Sequence, residues 1–226
     1  MFGAIGCTGN KSAGPQLTVS KPDAPSIQVV NAAPSLQASQ PCALKLSASP
    51  TLAGLKLGMK AEEALAAFPG SKDDPEIKAV LSQPPGEFGV SDLAIRPAKY
   101  QKNKANQASP QVGVGEVTRI TLTLLDGRAY ILQAAYNGPA YSQVDDFVQT
   151  FVADKNLPPV TEWQADPGME SQLKILRCAG FEVRVFAGGD RGILNYIAIK
   201  DLLAEAKYDE RVKKWEAAQS TPTPGQ

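Results

Sequence analysis

The sequence contains no histidine. Ser-His-Asp and Cys-His nucleophilic catalysis, histidine-containing zinc sites and histidine pH switches all need an imidazole, so each is excluded. Three cysteines are too few for a four-thiolate site. No apolar run reaches the roughly 18 residues that read as a membrane-spanning helix. Charge of one sign is not in excess either. Lys+Arg number 23 and Asp+Glu 23, a formal net charge of zero, whereas chains built to hold nucleic acid carry a basic surplus. Aromatics make up 7% and are spread singly, without the stacking platform that single strands require. No nucleic-acid partner, metal or cofactor is expected.

The remaining composition, 226 residues at 43% hydrophobic, suffices for one good-sized domain or two small ones. Residues 1–41 differ from the rest. From Thr8 to Pro41 the only charges are Lys11, Lys21 and Asp23, and Pro15, Pro22, Pro25, Pro34 and Pro41 interrupt any helix or strand. Such a segment buries too little apolar surface to offset its ordering entropy. It is expected to be a disordered tether, with residues 219–226 a disordered tail. At its front, Ala4-Ile5-Gly6-Cys7 resembles a bacterial lipobox, which implies acylation of Cys7 and attachment to a membrane through a lipid anchor. A start codon placed too far downstream would account for the missing basic and apolar regions before it. The other reading of Cys7 is an incidental cysteine in a leader.

Residues 42–218 read as the folded body. Cys42, Leu44 and Leu46 alternate with polar or small residues, as on the buried face of a strand, and Cys178 falls on a buried face with Leu176. Two inward cysteines pair in an oxidising compartment. Otherwise they are small buried hydrophobes.

Ala61, Ala64, Leu65 and Phe68 form one helical stripe, ended by Pro69-Gly70. Asp74-Pro75-Glu76 starts a second short helix, with Ile77, Val80 and Leu81 as its inner face and Pro84-Pro85-Gly86 as its stop. A strand is expected at 91–96, then a polar loop at 101–111. Strands 117–125 and 128–136 flank Asp126-Gly127, a hairpin signal. A plain two-residue turn would put Ile120, Leu122 and Leu124 on one face with Ala129 and Ile131, and Thr121, Thr123, Arg128 and Tyr130 on the other. Ser142 to Asp145 reads as a variant capping box opening a helix striped by Val144, Phe147, Val148, Phe151 and Val152. Strands are expected at 160–164, 173–178, 181–186 and 193–199, with Trp163 in or near the core and Gly188 to Gly192 a β-turn. The last helix, 201–218, has Leu202, Leu203 and Ala206 on one side and Tyr208, Val212 and Trp215 nearly opposite. Either it bends near Lys207 to pack wholly on its own domain, or the Tyr208/Val212/Trp215 patch faces a partner.

The fold class is therefore α+β: two repeated helix-then-antiparallel-sheet halves, 42–138 and 139–218, plus a C-terminal helix. The stretch Leu55-x-Leu57-Gly58-Met59-x3-Glu63-Ala64-x3-Phe68-x-Gly70 resembles the leading helix of the SmpA/OmlA outer-membrane lipoproteins. A similar helix–helix–sheet unit occurs in tandem in the beta-lactamase inhibitor protein fold. The resemblance implies a small envelope module that binds proteins and carries no catalytic residues.

Chemistry-bearing constellations are few. The carboxylate pairs Glu62/Glu63, Asp73/Asp74, Asp145/Asp146 and Asp209/Glu210 lie near helix starts or on charged helical faces, where they stabilise without any catalytic role. Arg96, Lys99, Lys102 and Lys104, with Tyr100 interleaved, form either a loop that meets an anionic surface or a solvated loop. The expectation is a non-catalytic bacterial cell-envelope protein, periplasmic, outer-membrane-anchored or secreted. It would bind another envelope protein through a sheet face or the C-terminal aromatic patch. The alternatives are an enzyme using carboxylates, Lys or Tyr in a groove between the halves, and a cytosolic structural protein with free thiols.

Overall fold

Asp126 and Gly127 both take left-handed backbone angles, φ 51° and 76°, the conformation that turns a two-residue hairpin with the twist of its strands. They join β2 (Glu116–Leu125) to β3 (Arg128–Asn137). Around this hairpin a computed structural model, which describes residues 42–100, 115–188 and 195–220, builds one seven-stranded antiparallel sheet. Its other strands are β1 (Val90–Ile95), β4 (Gln164–Ala165), β5 (Leu173–Arg177), β6 (Phe181–Phe186) and β7 (Asn195–Asp201), in the order β1-β2-β3-β7-β6-β5-β4. Each half runs from an edge inward, so its last strand sits at the centre. The halves meet where β3 pairs with β7, Leu132 opposite Ile199 and Ala134 opposite Ile197.

The α+β class with repeated helix-then-sheet halves is what the chain adopts. One sheet face is covered by α1 (Ala61–Ala66), α2 (Pro75–Leu81) and α4 (Val144–Val152). Leu65, Phe68 and Ile77 from the first half and Val144, Phe147 and Phe151 from the second join Ile120, Leu122, Leu132, Val183, Ile197 and Ile199 in one core. Asp74 caps α2, accepting from the Glu76 N–H at 2.9 Å, with Pro75 at the first helical position. Gly58 at φ 82° turns the chain so that residues 58–60 run beside the start of β3. The Gly58 N–H donates to Ala129 O at 2.7 Å, and the Ala129 N–H donates to Met59 O at 2.8 Å.

Four local expectations are corrected. A bulge at Tyr130 moves Ile131 opposite Thr123, so the inward set on β3 is Ala129, Leu132, Ala134 and Tyr136, and Ile131 faces the other way. Residues 42–47 form no strand. Cys42 makes a single parallel bridge to Cys178, because the Ala179-Gly180 turn ends the partner there, and a 3-10 turn follows at Leu46–Ala48. The 160–164 strand is a 3-10 turn, Val160–Glu162, and β4 is only two residues. Pro158-Pro159 supplies no N–H groups for a ladder at its start. Ser142 caps nothing: the N-cap position of α4 is Gln143, without a side-chain bond. Instead, the Val144 N–H donates to Ser171 O at 3.1 Å, and Asp145 pairs with Lys174 at 3.2 Å. A short helix α3, Pro97–Tyr100, follows β1, opened by Pro97 at its first position.

Cys42 and Cys178 form a disulfide across 136 residues of sequence. Trp163 is buried, its ring N–H donating to Pro158 O at 3.1 Å. The tether 1–41 with Cys7, the loop 101–111 with Lys102 and Lys104, the Gly188–Gly192 turn beyond Gly188, and the tail from 221 onward lie outside the described residues.

Candidate functional site

Strand alternation sends every second residue away from the helices. On β6, Phe181, Val183 and Val185 are buried in the core, leaving Glu182, Arg184 and Phe186 on the opposite face; on β7, Ile197 and Ile199 point inward and Tyr196, Ala198 and Lys200 outward. The register aligns these with β3 in three cross-strand rows: Ala135–Tyr196–Phe186, Gln133–Ala198–Arg184 and Ile131–Lys200–Glu182. Of these, Ile131, Gln133 and Ala198 line an open groove of about 340 Å³ at the seam between the halves, beside Glu182, Arg184, Tyr196 and Lys200.

Glu182 is the groove's centre of charge. Its side chain is 2% exposed and lies beneath three cations. Arg177 donates from Nε to Oε2 at 2.9 Å and approaches with Nη2 at 2.8 Å. Arg184 donates from Nε to Oε1 at 2.7 Å. Lys200 lies 3.6 Å from Oε1 and pairs with Glu205 at 2.5 Å. Burial pushes the Glu182 carboxyl up. The hydrogen bond from Arg184 and the charges of Lys200, Arg184 and Arg177 outweigh that and hold its pKa below the ordinary glutamate value. A carboxylate held as an anion with both oxygens engaged is poorly suited to act as a general acid. Beside it, Phe186 and Tyr196 stack with centroids 5.0 Å apart and planes 14° apart.

The residues singled out in the sequence lie elsewhere. Lys99 and Tyr100, on α3, converge on Asp74 at the start of α2: Lys99 Nζ is 2.5 Å and the Tyr100 hydroxyl 2.6 Å from Oδ2. The hydrogen bonds from Lys99 and then Tyr100 hold the Asp74 pKa down at about 2. Burial, then Asp74, pushes the Tyr100 phenol up to about 12. Arg96 remains exposed.

The C-terminal helix α5 (Leu202–Gln219) is uninterrupted at Lys207. Tyr208 stacks on Tyr130 at 6.4 Å and meets Phe88 edge-on at 5.9 Å; Trp215 meets Phe88 edge-on at 6.0 Å. Val212 is half-buried. Tyr208 and Val212 thus dock on their own domain, while Trp215 stays 42% exposed beside Phe88 and Leu203, on the opposite side, is 72% exposed.

Sequence reasoning missed the groove residues. The signal was present in part, since Glu182, Arg184 and Phe186 alternate with apolar residues. Which strand would lie beside them was not. Among the described residues no three Cys, Asp or Glu side chains gather as metal ligands, and no helix is long and apolar enough to cross a membrane. No protein family matches the chain, and neither does any curated protein or solved structure.

Proposed function

We propose that the chain is a non-catalytic bacterial cell-envelope protein that binds another protein through the outward face of its sheet, on the end of a tether. The observation that carries this reading is the groove across β3, β7 and β6, where apolar, aromatic, amide and charged side chains share one face. That mixture matches the make-up of protein-binding surfaces. The Cys42–Cys178 disulfide supports an oxidising compartment, where such bonds persist. The likeness of Ala4–Cys7 to a lipobox supports a lipid anchor. The likeness of the Leu55–Gly70 stretch to the SmpA/OmlA lipoproteins supports the same compartment.

Two measurements test it. The intact mass of the protein from its native source, with and without reduction, is expected to show acylation at Cys7 and two further thiols that alkylate only after reduction. Three freely alkylated thiols would overturn the envelope reading. A photo-cross-linking residue at Tyr196 is expected to trap a protein in living cells that the same residue at Lys213 on α5 does not. Identical adducts at both positions would overturn binding through the sheet.

A further inference from the structure

We propose that the groove takes an acidic, extended peptide segment of the partner, and that Glu182 is the positioning residue holding Arg177 and Arg184 as a clamp for its carboxylates; this rests on the reading of the outward face as the protein-binding surface. The charge arrangement carries it. In the cluster three cations, Arg177, Arg184 and Lys200, face two carboxylates, Glu182 and Glu205. A positive charge is left over in a chain whose total is zero.

The layering matters as much as the count. Glu182 is 2% exposed, but the Arg177 and Arg184 side chains are 62% and 44% exposed. The carboxylate lies underneath and the guanidinium groups at the solvent lip. A guanidinium carries five N–H donors in a rigid fork. Glu182 takes the Nε side of each one, fixing both planes before any ligand arrives. An arginine immobilised in advance loses less side-chain entropy on binding. Arg119, exposed on β2 and paired with Ala135, extends the positive charge along the row of Tyr196 and Phe186.

The rest of the lining favours a peptide over a lipid headgroup or an anionic polysaccharide. Ile131 and Ala198 give an apolar floor, the Gln133 amide both donates and accepts as a peptide group does, and the Phe186/Tyr196 pair adds aromatic surface. A headgroup needs only the cations.

The test pans a random dodecapeptide display library against the intact, disulfide-bonded chain, with anionic phosphatidylglycerol vesicles and dextran sulfate as parallel probes. Enriched peptides are expected to be rich in Asp and Glu. Their affinity should fall about tenfold or more in the Arg177→Ala/Arg184→Ala double variant, since arginine anchors carry much of the energy at such surfaces. Glu182→Gln should also weaken binding, although it makes the groove more positive. That sign separates a positioned clamp from general attraction: equal or tighter binding by Glu182→Gln overturns the clamp. Should that variant fail to fold, Arg177→Lys/Arg184→Lys keeps the charge but removes the fork, and undiminished binding there overturns the clamp equally. Enriched peptides without acidic bias that are lost on Ile131→Glu would overturn the acidic partner and leave sheet-face binding standing. No peptide sensitive to any groove substitution would overturn both. Vesicles or dextran sulfate binding more tightly than any peptide, with the same arginine dependence, would overturn the peptide occupant.

Discussion

Arg211 grips Asp126 with both ends of its guanidinium, Nη1 to Oδ1 at 2.9 Å and Nη2 to Oδ2 at 2.7 Å, across 85 residues of sequence. Lys207 adds a second cation at 2.8 Å, and Arg211 Nη1 also donates to Phe88 O at 2.7 Å. The hairpin turn is thereby tied to α5, which has no buried residue of its own. The hydrogen bonds from Arg211 and then Lys207 hold the Asp126 carboxyl well below the usual aspartate range. Asp126→Asn keeps the left-handed backbone but loses the charge. It should lower Tm by about 2 °C, the scale of a modest exposed ion-pair network in a domain of this length, and raise amide exchange selectively over 202–219. Unchanged exchange in α5 would show that the aromatic contacts alone hold it. Gly89→Ala should do the same by another route, since an added Cβ would lie 2.6 Å from Arg211 Nη1 and 2.7 Å from Asp126 Oδ1.

Asp74 ties α2 to α3 through Lys99 and Tyr100. Its pKa of about 2 lies below the unfolded value, so its contribution is complete above the ordinary aspartate pKa of about 4. That contribution fades as pH falls toward 2. Asp74→Asn should therefore melt lower than the parent at pH 7, with the gap closing between pH 4 and pH 2. A gap independent of pH would mean that the cap geometry, rather than the charge, is what matters.

Tyr136 is buried in the core against Phe147, rings edge-on at 6.0 Å, and its hydroxyl has no partner among the described residues. An unsatisfied buried hydroxyl stabilises nothing, so Tyr136→Phe should leave stability unchanged or raise it by up to about 1 kcal/mol. Tyr136→Ala should cost about 3–5 kcal/mol through the cavity it leaves. Chemical denaturation of the two variants distinguishes ring from hydroxyl. A loss on Tyr136→Phe would reveal a partner for the oxygen.

Reducing the Cys42–Cys178 bond should destabilise the body by about 2–5 kcal/mol, because it frees a long loop in the unfolded chain. Denaturant midpoints with and without reductant measure this. Coincident curves would show that residues 42–48 are held by packing alone. That packing includes Gly180, where an added Cβ would fall 2.4 Å from Leu46 N.

Much of the fold was legible in local patterns, and the misses share a cause. The stripe Val144, Phe147, Val148 and Phe151 is buried as its spacing implied, and Asp126-Gly127 turns the hairpin. Ile131 lies on the face opposite to the one a plain turn implies, because a bulge depends on what lies beside the strand: Ala129 is bracketed by Gly58 and Met59, some 70 residues away, where the β7 pairing has ended. The C-terminal helix showed two apolar sides with no local reason to prefer one. Phe88, Tyr130 and Asp126, all distant in sequence, select the Tyr208 side. Lys99 and Tyr100 read in sequence as part of a basic loop, either solvated or meeting an anionic surface; α3 brings both onto Asp74.

By itself, then, the chain's order of residues determined its class, the hairpin, the inward set of most strands and helices, and two cysteines facing the core. These follow from periods of two and 3.6, which are properties of neighbours in sequence. Tertiary structure alone decided that β7 lies against β3, and so that Ile131, Gln133, Tyr196, Lys200, Glu182 and Arg184 share one groove. A residue pattern specifies which way a side chain points. Which strand lies alongside is settled by burial and pairing between distant segments, and the candidate site is made entirely of such pairings.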